Sequence, residues 1–141
     1  MVCRRRGARI DVTRELKMWL AVRQDINMSK GKLAAQAGHA YGDLYLMAAQ
    51  HVPEIFQTYR DHATPKITVK AKNADAIQRI VVECAAANIC CETVRDAGRS
   101  ELEPGTVTVA AFGPAYFDEL PKFLQRLQVM RDAEEAPAAA E

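Results

Sequence analysis

Apolar residues in this chain fall into short runs separated by polar spans, and the spacing within each run changes character along the sequence. Lys17-Met-Trp-Leu-Ala-Val-Arg23 is a continuous apolar run that predicts a buried first strand. After a polar connection over 24–31, the spacing becomes helical from Lys32 to about His51. Leu33, Ala37, Ala40, Leu44 and Met47 recur at intervals of three and four, and Pro53 limits the helix. Residues 54–65 read as a short helical or irregular link ending at Pro65.

The alternating segment Lys66-Ile-Thr-Val-Lys-Ala71 predicts a second strand. A second helix is expected from Asn73 or Ala74 to about Ala87, with Asn73 as N-cap and Ile77, Ile80, Val81 and Cys84 on its buried face. Ile89 to Val94, rich in β-branched residues and cysteine, predicts a third strand. Thr106 to Phe112 predicts a fourth, ended by Gly113-Pro114. A last helical region is expected over 116–130. Strands alternating with helices imply an α/β sandwich, and the two last strands, joined by a polar loop, would make its sheet mixed. Residues 1–15 lack apolar periodicity and read as a flexible basic arm, 16–131 as one folded domain, and 132–141 as a disordered tail.

At 141 residues the chain is large enough to bury a real core as one domain. The net charge of +1 is uninformative, but its distribution is not. Arg4, Arg5, Arg6 and Arg9 crowd one end, and Glu134, Glu135 and Glu141 make the other acidic. Solvated tails account for both, and phosphate affinity is the sharper role for the arginines. The four cysteines have neither zinc spacing nor the density of a disulfide scaffold. Cys90 and Cys91, adjacent in a strand, point to opposite faces. No run approaches the roughly 20 apolar residues of a membrane span, and the opening lacks a signal-peptide pattern. The expected setting is a reducing cytoplasm, with no membrane partner.

Two polar clusters are left over from core building. The first is Asn27-Met-Ser-Lys-Gly-Lys32, followed by Gln36 and His39. It lies where a strand hands over to a helix, and helix N-termini offer free N–H groups to anions. It is not a Walker A sequence, so nucleoside triphosphatase chemistry is excluded. At about 100° per residue, Lys32, Gln36, His39 and Asp43 share an arc of roughly 60°. A solvated helix edge would display the same row. The second cluster runs from Asp96 through Gly98, Arg99, Ser100 and Glu101 to Pro104-Gly105-Thr106-Val-Thr108. Asp96 stands beyond a strand's carboxyl end, where open α/β sheets place ligands. Arg99 can bind phosphate in a bidentate way. Thr106 and Thr108 are expected to project from one strand face. A polar hairpin loop with a turn-capping aspartate is the plainer alternative.

Taken together, the clusters carry a resemblance. Met28-Ser-Lys-Gly-Lys-Leu-Ala-Ala-Gln-Ala-Gly-His-Ala40 resembles the first signature of the type II peptidyl-tRNA hydrolases, in which Met-Gly-Lys-Gly-Lys leads into Ala-Ala-Gln and a histidine. Asp96-Ala-Gly-Arg-Ser-Glu-Leu-Glu-Pro-Gly-Thr-Val-Thr108 is similar to the second, Asp-Ala-Gly, a basic residue, Thr-Gln, then Pro-Gly-Thr. Ser29, Ser100 and Glu101 stand where that family has glycine, threonine and glutamine. The resemblance implies a three-layer α/β/α sandwich with a four-stranded mixed sheet, a homodimer, and hydrolysis of the ester joining a stalled peptide to tRNA. It implies catalytic roles for Lys32, Asp96, Ser100 and Thr108. Lys30, Gln36, His39, Arg99 and Thr106 would bind the tRNA substrate, and no metal or cofactor is implied.

Ester hydrolysis needs an activated water and a partner for the tetrahedral oxyanion. Asp96 is the expected water-orienting base, and because an ordinary aspartate is a weak base near neutral pH its surroundings must assist. Lys32 would stabilise developing negative charge or hold the terminal phosphate. Ser100 and Thr108 would donate hydrogen bonds to water, carbonyl or ribose. A serine nucleophile at Ser100 has no identifiable histidine partner. Two other readings remain: a noncatalytic RNA- or protein-binding member of the fold, favoured by Glu101, and a hydrolase of another small ester or amide.

Overall fold

A computed structural model describes residues 14–98 and 102–132 of the chain. The first strand, β1 (Leu16–Arg23), is flanked by β2 (Lys66–Ala71) in parallel and by β4 (Val107–Tyr116) antiparallel, and β3 (Cys91–Arg95) pairs antiparallel with β4. The order β2-β1-β4-β3 is the expected four-stranded mixed sheet, and it forms through the polar link between the last two strands.

Strand alternation sends two sets of side chains to opposite faces. Leu16, Met18, Leu20, Val22, Val109 and Ala111 pack beneath helices α1 (Lys30–His51) and α2 (Pro53–Arg60). Trp19, Ala21, Ala110 and Phe112 pack beneath α3 (Ala74–Ala86) and the short α4 (Lys122–Gln125), with Trp19 stacked on Phe112 at 5.4 Å. Helices on both faces make the three-layer sandwich. Cys90, just before β3, joins the first core and Cys91 the second, so the two point to opposite faces as expected, although the strand starts at Cys91 and not at Ile89.

Several expected boundaries move for local reasons. Helix α1 begins at Lys30 because Ser29 caps it, its hydroxyl oxygen accepting the Lys32 N–H at 3.1 Å. Its buried stripe is Gln36, Ala40, Leu44 and Ala48, one position round from the expected one, so Met47 stays only half-buried. The link over 54–65 is mostly helix α2, with Pro53 in its first turn. Asn73 caps α3 through the Ala76 N–H at 3.0 Å, as expected.

Gly113-Pro114 does not end β4, which continues to Tyr116. Pairing with β1 skips there, from Lys17 opposite Ala115 to Trp19 opposite Phe112, so no ladder bond is asked of the proline nitrogen. Gly113 has φ +121°, and a β-carbon there would lie 2.7 Å from the Lys17 carbonyl oxygen. The last helical region also breaks up. A single 3₁₀ turn (Phe117–Glu119) precedes Pro121, α4 follows, and residues 128–130 run extended along β2. The Lys70 N–H donates to Gln128 O at 2.8 Å and the Met130 N–H to Thr68 O at 2.9 Å. The expected arm and tail lie outside the described residues except at their inner ends. There Arg14 pairs with Asp118 and Glu119 and covers the Tyr116 ring.

Candidate active site

The two polar clusters meet at the end of β3. As the chain leaves that strand, the Asp96 N–H donates to Thr106 O at 2.7 Å and the Gly105 N–H to Asp96 O at 2.8 Å. These bonds clamp the start and end of the loop together. Gly98, at φ +79°, passes so close to Pro104 that a β-carbon would meet the proline ring at 2.5 Å. The clamp fixes Asp96 under the first turns of α1, with its side chain fully buried. Lys32, two residues inside that helix, reaches down and donates from Nζ to Asp96 Oδ1 as a close ion pair. Sixty-four residues separate the partners in sequence.

A second polar link lies beside the ion pair. Gln36 Nε2 donates to Thr108 Oγ1 at 2.9 Å, and Thr108 Oγ1 donates to Val94 O at 3.1 Å. Both residues are buried. A hydroxyl has one proton, so Thr108 has none left for substrate here. Thr108 thus ties α1 to the ends of β3 and β4. Strict alternation from Ala110 and Phe112 would turn Thr108 toward α3. Between Val94 opposite Val109 and Arg95 opposite Val107 the ladder slips by one residue, and this bulge leaves Thr108 turned to α1. Thr106 and Thr108 consequently do not project together, contrary to expectation. Thr106 lines a separate depression of about 540 Å³ with Arg23, Ala74 and Arg95.

The ion pair opens into a cleft of about 500 Å³. One wall is the helix row Lys32, Gln36, His39 and Asp43, and the other is the strand segment Thr93 to Ala97. The predicted helix flank is thus brought together with Asp96, although Gln36 is sunk into the core while His39 stays exposed. Lys30 stands exposed at the first position of α1, apart from the cleft lining. Arg99, Ser100 and Glu101 lie outside the described residues. Thr93 and Arg95 escaped sequence reasoning, because only the sheet order shows that their strand is an edge. Asp43 was legible in the helix row. Burial, and then the nearby Asp43, push the Glu92 carboxyl above its ordinary range.

A buried carboxylate set against an ammonium, at the carboxyl end of a strand in a mixed sheet and open to a cleft, defines an α/β protein with a charged candidate site. Comparison with known proteins refines that class. A family model described as Peptidyl-tRNA hydrolase PTH2 matches residues 16–130, and the chain belongs to that family. It is 39% identical over 101 residues to a peptidyl-tRNA hydrolase of Thermoplasma volcanium, covering 72% of this chain and 86% of that one. It is 31% identical over 115 residues to a peptidyl-tRNA hydrolase of Methanocaldococcus jannaschii, covering 82% of this chain and all of that one. A mouse mitochondrial peptidyl-tRNA hydrolase 2 is 35% identical over 100 residues, of which this chain spans 55% of the relative's length.

Proposed function

We infer that this protein hydrolyses the ester between a peptide and the terminal ribose of tRNA, freeing both. The observation that carries the reading is the Lys32–Asp96 ion pair at the head of the cleft. Asp96 orients a water and takes its proton as the water oxygen attacks the ester carbon. Lys32 neutralises the negative charge that builds on the carbonyl oxygen. The tetrahedral intermediate collapses with cleavage of the bond to the ribose oxygen, which leaves with the proton. Gln36 and Thr108 hold the two elements at the spacing this needs. On the family resemblance Ser100 contributes a hydroxyl to the substrate and Arg99 binds tRNA, while Lys30 and His39 meet tRNA groups around the cleft and Thr106 meets them from the neighbouring depression. The same reading makes the protein a cytoplasmic homodimer acting on products of translation. Among the described residues, no helix is long and apolar enough to cross a membrane.

Release of free tRNA from an N-blocked aminoacyl-tRNA tests the reading. Wild type should turn over, and Asp96→Asn should lose about 10²–10⁴ in kcat, the usual share of a general base. Lys32→Ala should lose about 10²–10³, as for a removed oxyanion partner. A folded wild type that binds tRNA without turnover would establish the binding-module reading instead.

A further inference from the structure

We propose that the peptide of the substrate binds as an added parallel strand on the open edge of β3, read through its backbone and not its side chains. The inference rests on the hydrolase reading above and deepens it. The two edges of the sheet differ. The chain's own residues 128–130 cover β2, whereas among the described residues nothing pairs with the outer side of β3. The backbone of Cys90 faces β4, its carbonyl accepting the Gly113 N–H at 3.0 Å, and that of Asp96 does too. Alternation then turns the amides of Cys91, Thr93 and Arg95 outward.

This edge is continuous with the reacting centre, because β3 runs directly into Asp96. The cleft follows it, with Thr93 to Ala97 as one wall and the α1 row as the other. A peptide esterified at its carboxyl end must place that end at Asp96 and leave with its amino end toward Cys91. It therefore runs in the same direction as β3. From Asp96 back to Cys91 the edge accommodates about four to five residues at roughly 3.3 Å each. Seven of the nine residues that line the cleft are polar or charged, and the other two, Val94 and Ala97, are small. Among the described residues the lining therefore holds no large apolar side chain to select a particular one in the peptide. Backbone pairing suits a substrate whose peptide can have any sequence.

The test uses the intact protein and a series of tRNAs carrying one to six peptide residues with blocked amino ends. kcat/KM should rise about fivefold per backbone hydrogen bond gained, the usual net yield of one such bond, and level off after about four residues. The gain should fall in KM with kcat unchanged, as for binding shared by ground and transition states. Methylating the peptide nitrogens that face β3 should cancel the gain, and methylating those that face away should not. Thr93→Pro removes one outward N–H at a position where an edge strand tolerates proline, and it should flatten the length series. The methylated substrates make the same test on the unaltered protein. Equal kcat/KM at every length, or indifference to methylation, overturns the strand proposal while the hydrolase reading stands. Failure to hydrolyse even the one-residue substrate overturns both.

Discussion

Thr108 has one proton to give, and Val94 O receives it while Gln36 supplies the matching donor. Removing the hydroxyl leaves a buried amide and a buried carbonyl short of a partner, which costs about 1–3 kcal/mol. Thr108→Val should therefore lower the urea midpoint and reduce kcat by loosening Asp96, whereas Thr108→Ser should recover most of both. If Thr108→Val kept full stability and lost only turnover, the hydroxyl would belong to the chemistry instead. Lys32 and Asp96 were legible in the sequence, since a charged residue at a helix start and another past a strand end have no packing reason to be there. The Gln36–Thr108 link was not. It depends on a one-residue bulge between β3 and β4, and period-two reasoning assigns Thr108 to the other face. Glu92 illustrates a cost at the same scale. Burial and then Asp43 raise its carboxyl, so the folded state holds the proton more tightly than the unfolded chain. Stability from this group is greatest below the unfolded value and falls as pH rises through the folded one. Glu92→Gln should stabilise the protein at neutral pH by about half a kcal/mol, the scale of a partly exposed charge pair. The difference from wild type should vanish below about pH 4, where both side chains are neutral. Paired denaturation curves at the two pH values check the sign.

Among the elements, strands and helices were largely legible because each keeps one strong period, and the chief misreadings fall at two prolines. At Gly113-Pro114 the tertiary pairing asks nothing of the proline nitrogen, so β4 continues. At Pro121 the reverse holds: a helical pattern breaks, and the following chain closes the β2 edge. No local rule distinguishes the two cases, since the deciding contacts come from β1 and β2. A further inter-element tie was also invisible. Lys66, at the start of β2, places Nζ 5.5 Å from the Tyr41 ring, 5.1 Å from Tyr45 and 5.5 Å from Tyr59, and donates to Tyr45 Oη at 2.7 Å. One ammonium thus joins β2 to both α1 and α2. Burial pushes the Tyr41 and Tyr59 hydroxyls well above the usual phenol range, so both rings stay neutral and keep their attraction for the cation. Lys66→Met keeps the apolar stem and removes the charge. It should cost about 1 kcal/mol, the scale of a cation–π contact and a hydrogen bond at an exposed lysine, read as a lower thermal midpoint. Turnover at low temperature should be unchanged, because the tyrosine cluster lies outside the cleft lining.

For the whole molecule, the net charge of +1 decides how tRNA is held. A polyanion is attracted chiefly by the cations that touch it, and binding must weaken with salt by about 0.7–0.9 log units per neutralised phosphate for each log unit of salt. Around the cleft the described cations are few: Lys30 and Arg95 are exposed, while Lys32 is committed to Asp96. Binding through these alone should give a shallow slope, near −2. Arg4, Arg5, Arg6 and Arg9 triple that supply if the arginine-rich end also meets phosphate. The full chain should then show a slope near −5 for tRNA, and a chain starting at Arg14 a slope near −2, with kcat at saturation the same in both. Equal slopes would confine recognition to the cleft and leave the arginines as solvated charge. A steep slope that survives truncation would instead point to a second set of cations on the folded domain, outside the cleft. The distinction bears on how so small a domain works. If the cleft holds only the ester and a short length of peptide, as proposed, a steep slope is expected, because affinity for the much larger RNA then comes from charge placed outside it.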